Sequence, residues 1–205
     1  MMKRIVPIID FPHGSNVLGK CSPDKVYKEW IGGRKVGNDI AMLLKAYGYK
    51  VYFSNPLDTE GGLTNRVKFA ENLKVGPGQY KFLLSFHNNA AGDGSKWMQA
   101  RGFEIWTKEG IDLADVLADI AFPVMKRWFP NIRLRMATDK DFARDKEGNL
   151  AVLKGKGVYS VLFEYGFMDN KEDAAMLLDE RQNKRYADAI VDMIENMEEY
   201  LSKNL

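Results

Sequence analysis

Only two histidines, His13 and His87, occur among the 205 residues, so any imidazole chemistry in this chain must use them. His13 follows by three residues a short apolar segment that ends at Asp10, and His87 directly follows another that ends at Phe86. If these segments are strands of a parallel sheet, both histidines project from the carboxyl edge, where open α/β sheets bind ligands. Two unrelated loop histidines are the alternative, but the shared edge favours a common site.

A carboxylate is predicted on the buried side of the first helix. At 100° per residue, Glu29 shares a helix face with Val36, Ile40, Leu43 and Tyr47. Burial of a carboxylate is costly unless a cation pairs with it. Glu29 could instead reach solvent in the first turn or meet a lysine, but beside two histidines a metal is the better partner. Two imidazoles and one carboxylate are a ligand set of catalytic zinc, which leaves the fourth position to water.

A second glutamate, Glu164, ends a very apolar segment that begins at Val158. Glutamate is rarely buried in a hydrophobic core, and burial raises the pKa of its carboxyl group. A raised pKa suits a general base that activates a metal-bound water. A strand-end glutamate that caps the chain or pairs with a loop arginine is the alternative. The residue types therefore indicate one site, with His13, Glu29 and His87 as metal ligands and Glu164 as the base.

The elements that would position these residues follow an α/β pattern, because short apolar runs alternate with longer amphipathic segments. Several runs are apolar at consecutive positions, which indicates strands buried on both faces and hence mostly parallel. The predicted strands are 4–10, 49–54, 80–86, 102–107, 132–136 and 158–164. We expect a single α/β domain over residues 1–205, with a mostly parallel twisted sheet of about six strands and helices on both faces.

Amphipathic segments predict four helices. They cover about 22–47, 63–73, 111–128 and 171–201. Pro123 is expected to kink or split the third helix. The last helix has an apolar stripe that includes Met193 and Met197, which is typical of a core-facing surface rather than of a cofactor-binding segment. Residues 138–157 are polar and contain glycine, so we expect a flexible excursion or hairpin beside the active face.

Composition and charge exclude several classes of function. Lys and Arg number 30 and Asp and Glu 28, so the net charge of +2 indicates no nucleic-acid partner. No apolar run approaches the roughly 20 residues that a bilayer requires, so we expect no membrane insertion. The single cysteine, Cys21, excludes an internal disulfide framework and a site made mainly of thiolates. Cys21 is expected to be a free loop thiol, with an approach to the metal as the alternative.

Several short motifs resemble the zinc-dependent N-acetylmuramoyl-L-alanine amidases of the Amidase_3 family. They are DFPHG at 10–14, the helix that carries Glu29, SFHNNA at 85–90, RGFEIW at 101–106 and EYGFMDN at 164–170. The resemblance spans residues 5 to about 195, and several motifs in the family's order are more specific than any one of them. It implies that His13, Glu29 and His87 are the zinc ligands and that Glu164 is the catalytic glutamate.

The resemblance also implies a reaction, hydrolysis of the amide between N-acetylmuramic acid and L-alanine in peptidoglycan. Zn2+ would polarise the carbonyl and lower the pKa of its bound water, and Glu164 would take the proton and deliver it to the leaving amine. Asn88 and Asn89 are predicted to bind substrate amides or to support His87. Pro12 and Ser15 stand where the family usually has glycine, which leaves the path of that loop open.

Two other functions stay open at this stage. One is a zinc peptidase that cuts within the peptidoglycan stem peptide, and the other is a non-catalytic wall-binding module, which the presence of all four candidate residues argues against. The amino terminus lacks the long apolar region of a secretory signal peptide, and no separate wall-binding domain is expected. These features resemble a phage or prophage endolysin, made in the cytoplasm and acting on the wall after release. A bacterial autolysin exported by another route is the alternative.

Overall fold

A computed structural model describes residues 3–137 and 144–205 of the chain. Its strands are β1 (Ile5–Asp10), β2 (Tyr52–Phe53), β3 (Tyr80–Asn89), β4 (Phe103–Thr107), β5 (Lys146–Glu147) and β6 (Tyr159–Phe167). They form one sheet in the order β2-β1-β3-β6-β4-β5. β4 runs antiparallel to β6, and the other neighbours are parallel. The predicted mostly parallel sheet of six strands is confirmed, with one antiparallel pair that the sequence did not indicate.

Helices cover both faces of this sheet. They are α1 (Glu29–Ala46), α2 (Leu63–Asn72), α3 (Leu113–Trp128), α4 (Lys171–Leu178) and α5 (Glu180–Asn204), with a short 3-10 helix at Ala151–Leu153. The apolar faces of α1, α3 and α5 pack in the larger core on one side, while α2 and the 3-10 helix cover the smaller core on the other. In the described part of the chain, no helix combines the length and the apolar character that a membrane crossing needs.

The fifth predicted strand is wrong. Within residues 132–136, only Leu134 forms an isolated parallel bridge, to Phe103. The sheet instead ends with β5, which pairs with β4 at Trp106 and Thr107 and lies within the expected excursion 138–157. Both segments approach the same edge of β4, and the pairing that persists for more than one residue is that of β5. Residues 138–143 of the excursion lie outside the described residues.

Two helix boundaries also differ from the prediction. The first helix begins at Glu29 rather than near Ser22, because the Ser22 hydroxyl accepts a hydrogen bond from the backbone N–H of Tyr27 and closes a turn before the helix. The last predicted helix is two helices, separated at Asp179, whose side chain caps the second by accepting from the backbone N–H of Arg181. α3 continues through Pro123, so the expected split does not occur.

Candidate metal centre

The three side chains predicted as metal ligands converge beside the carboxyl ends of the central strands. The Nε2 atom of His13 lies 3.2 Å from Oε2 of Glu29, and Nδ1 of His87 lies 2.9 Å from Oε1 of Glu29. One ligand atom from each residue lies within 4.8 Å of the other two. Two imidazoles therefore meet one carboxylate, which is the donor set that suits zinc.

Three different elements supply these side chains. His13 lies in the loop after β1 and has a positive φ of 41°, a conformation that non-glycine residues rarely adopt and that clusters at functional sites. His87 lies within β3, which continues to Asn89 rather than ending at Phe86 as predicted. Glu29 is the first residue of α1, where the helix dipole favours a negative charge.

Buried hydrogen bonds hold the carboxylate in place. Glu29 is 1% exposed, and its Oε1 atom also accepts a hydrogen bond of 3.1 Å from the backbone N–H of Asn88. Burial by itself would raise the pKa of Glu29, but the contacts with His13 and His87 outweigh it and lower the pKa to about 2. Burial opposes protonation of His87, yet its contact with Glu29 raises the pKa of the imidazole. Glu29 is thus an anion at neutral pH, as a metal ligand must be.

A buried arginine fixes the loop that carries His13. Arg34 of α1 donates hydrogen bonds of 3.1 and 3.0 Å to the backbone carbonyls of Pro12 and His13. From α2, Arg66 donates one of 2.6 Å to the carbonyl of Phe11. Neither arginine was predicted from the sequence. Arg34 could have been found, because it lies five residues after Glu29 on a helix face that is otherwise small and apolar.

Close packing of α1 against this loop gives a stability prediction. A Cβ atom at Gly33 would overlap the ring of Pro12 and lie 3.2 Å from the carbonyl oxygen of Phe86. We expect Gly33→Ala to lower the free energy of unfolding by about 1–3 kcal/mol, although alanine is the better helix former. Urea denaturation measures the change. Gly61→Ala is the control, because a Cβ there meets no atom of residues 3–137 or 144–205 within 4 Å. Equal stability of the two variants would contradict the prediction.

Glu164 lies beside the cluster, on the strand next to His87. The two residues are register partners on β6 and β3, so their side chains share one face of the sheet. β6 continues past Glu164 to Phe167, so this residue lies inside the strand rather than at its end. Its Oε2 atom is buried without a hydrogen-bond partner among the described residues. Burial raises the pKa of Glu164 to about 8, although the neighbouring His87 opposes the shift.

These four side chains line one cleft of about 410 Å³. Asn88 and Asn89 also line it, but their side chains are engaged within the protein. The amide of Asn88 donates to the carbonyl of Tyr165 at 2.6 Å, and that of Asn89 donates to Glu104 at 3.0 Å. Cys21 lies outside the three-residue cluster.

Comparison with known proteins decides the family. The family model described as N-acetylmuramoyl-L-alanine amidase, Amidase_3, matches residues 8–196. The chain belongs to this family. The resemblance noted in the sequence is thereby confirmed, and the chain is grouped with the amidases that degrade the cell wall. No curated protein sequence matches it.

Solved structures of N-acetylmuramoyl-L-alanine amidases and of the CwlD amidase share its fold over nearly the whole chain. An N-acetylmuramoyl-L-alanine amidase from Clostridium difficile 630 is 22% identical, with 100% of both chains covered and a TM-score of 0.81. The CwlD amidase from Clostridioides difficile, solved in complex with the GerS lipoprotein, is 19% identical, with 94% of this chain and 97% of that chain covered and a TM-score of 0.77. The catalytic domain of CwlV from Bacillus (Paenibacillus) polymyxa var. colistinus is 24% identical, with coverage of 96% and 98% and a TM-score of 0.75.

Proposed function

We propose that this chain hydrolyses the amide bond between N-acetylmuramic acid and L-alanine in peptidoglycan, with zinc held by His13, Glu29 and His87. The main support for the proposal is that two imidazoles contact one deeply buried carboxylate, in a cleft that Glu164 also lines. Membership of the amidase family supplies the substrate class. The donor set fits zinc because a neutral imidazole pair and one anionic oxygen leave a position for substrate or water.

Each side chain has a separate task in this reaction. Zinc held by His13, Glu29 and His87 would supply Lewis acidity toward the scissile carbonyl and an attacking water. Glu164 in its ionised form accepts the proton of that water and returns it to the nitrogen of L-alanine as the amide bond breaks. The Oε2 atom of Glu164 has no hydrogen-bond partner in the part of the chain that the structure describes, and Glu164 shares a sheet face with His87; both features support this role.

We propose supporting rather than substrate-binding roles for the two asparagines. The backbone N–H of Asn88 fixes Glu29, and its side chain joins Tyr27 to the carbonyl of Tyr165. Asn88 is therefore suited to orienting the ligands. Asn89 contacts Glu104 through its amide, which leaves it little capacity to bind a substrate amide.

The products of digestion test the proposed reaction. Zinc-loaded protein incubated with purified peptidoglycan should release intact stem peptides that begin with a free L-alanine amino group, and mass spectrometry identifies them. Shortened stems on an uncut muramoyl amide would establish the peptidase alternative. Binding to the wall without any released product would establish the non-catalytic one. Protein stripped of metal by a chelator is the control, and release at an undiminished rate from that sample would contradict the zinc dependence.

A further inference from the structure

A row of side chains extends sideways from the candidate metal centre across three strands. Glu104 on β4 is the register partner of Glu164 on β6, which is in turn the partner of His87 on β3. Partners across adjacent strands present their side chains on the same face. Since neighbouring strands lie about 4.8 Å apart, Glu104 is roughly 10 Å from His87 along this row.

Glu104 is 2% exposed and is the acceptor for four donors. Its Oε1 atom accepts from Nε of Arg135 at 2.6 Å and from Nζ of Lys146 at 2.8 Å. Its Oε2 atom accepts from the side chains of Asn89 and Trp106 at 3.0 and 3.2 Å. One carboxylate thus pairs with two cations, so the cluster of Glu104, Arg135 and Lys146 has a surplus positive charge.

The surplus charge borders an open groove next to the cleft. Three cations, Arg133, Arg135 and Lys146, line this groove of about 740 Å³ together with the ring of Trp106. One carboxylate, Glu147, also lines it and accepts a hydrogen bond from the backbone N–H of Gly110. Arg135 uses Nε for Glu104, while its Nη1 and Nη2 atoms donate no hydrogen bond to any residue that the structure describes. A guanidinium with two spare amino groups matches the two oxygens of a carboxylate. The groove therefore suits an anionic group carried by a neighbouring substrate segment.

We propose that Arg135 and Lys146 form a subsite that binds a free carboxylate of the peptidoglycan stem peptide. This inference rests on the proposed function, which brings the start of the stem to the cleft beside Glu164. An extended peptide advances about 3.3 Å per residue, so a distance of roughly 10 Å is covered within three residues of the scissile amide. Glu104 orients both cations, and the subsite selects stems whose carboxyl groups are not amidated.

Arg135 and Lys146 each lie over an aromatic ring, those of Phe167 and Trp106, but the charge of Glu104 does not require both cations. A buried carboxylate needs compensation by one charge and by hydrogen bonds, and Asn89 and Trp106 already supply two hydrogen bonds to Glu104. Either Arg135 or Lys146 would complete that compensation alone. The presence of both, at the rim of a groove, leaves one positive charge to face a ligand.

The test compares two soluble muramoyl peptides that differ only in the stem carboxyl groups, which are free in one and carboxamides in the other. We expect the zinc-loaded wild type to cleave the free-carboxylate peptide with about tenfold higher kcat/KM. Arg135→Gln and Lys146→Gln should each lose most of this preference and leave cleavage of the carboxamide peptide nearly unchanged. Arg127→Gln, on the exposed side of α3 where it pairs with Asp192, should keep the preference.

Equal cleavage of both peptides by the wild type would overturn the subsite. So would an equal loss on both peptides in the two glutamine variants, because that result describes a structural defect. Should the wild type cleave neither peptide, the proposed function fails instead, and calorimetry with the free stem peptides tests the subsite alone. Tighter binding of the carboxylate peptide, lost in Arg135→Gln, supports the subsite, and equal binding of the two peptides overturns it.

Discussion

Replacing His87 by alanine should abolish stoichiometric zinc binding and, with it, amidase turnover. His87 contributes one of the two imidazoles that contact Glu29, so its loss leaves a single nitrogen ligand and removes one of the three contacts that hold the buried carboxylate. Removing a residue that only orients a ligand costs about 10–100-fold in metal affinity, so loss of a ligand should cost at least about a hundredfold. Metal analysis after dialysis, and competition with a chelator of known affinity, measure the change.

The control for this variant must distinguish the loss of a metal ligand from unfolding of the protein. Arg127→Gln alters an exposed side chain on α3, and it should bind one zinc per chain with the affinity of the wild type. Circular dichroism of the His87→Ala variant should match that of the metal-free wild type. A folded His87→Ala protein that keeps one zinc per chain would remove His87 from the ligand set.

Replacing Glu164 by glutamine should separate the two properties, because zinc binding stays while turnover falls. Glutamine has nearly the same shape but cannot take a proton, so zinc content should stay at one per chain while kcat falls by about 10²–10⁴-fold. The Oε2 atom of Glu164 has no hydrogen-bond partner among the described residues, so removing the carboxylate should not lower the melting temperature. Rates on a soluble muramoyl peptide, with metal content measured on the same sample, give the answer; an unchanged kcat would exclude Glu164 as the proton carrier.

The convergence of these residues at one place could be predicted because it depends on strand direction. His13 follows β1 and His87 lies near the carboxyl end of β3, and these parallel strands bring their carboxyl ends to one edge. The helical spacing of apolar residues also placed Glu29 on an inward side, although the helix starts at that residue rather than before it. Local patterns were sufficient for these two features.

The interactions that hold the site residues in place could not be predicted, because they join segments that are distant in the sequence. The positive φ of His13 goes with the hydrogen bonds from Arg34, and the loop fits because Gly33 has no side chain. Glu104 was recognised as part of a motif, but its partners Arg135 and Lys146 come from separate segments. No spacing rule relates those segments before the chain folds.

The predictions for the sheet edge and for the last helix were wrong for a similar reason. Residues 132–136 and β5 are both short segments that reach β4, and propensity alone does not decide which of them pairs. In the last helix, the apolar period continues past Asp179, while the break follows from capping by its side chain. Periodicity identified the buried face there and missed the interruption.

Zinc content and turnover measured together on the wild type, His87→Ala and Glu164→Gln distinguish metal binding from proton transfer. We expect one zinc per chain with turnover in the wild type, neither property in His87→Ala, and one zinc without turnover in Glu164→Gln. Turnover in metal-free protein, or zinc retained equally by all three proteins with equal rates, would contradict a zinc amidase built on His13, Glu29, His87 and Glu164.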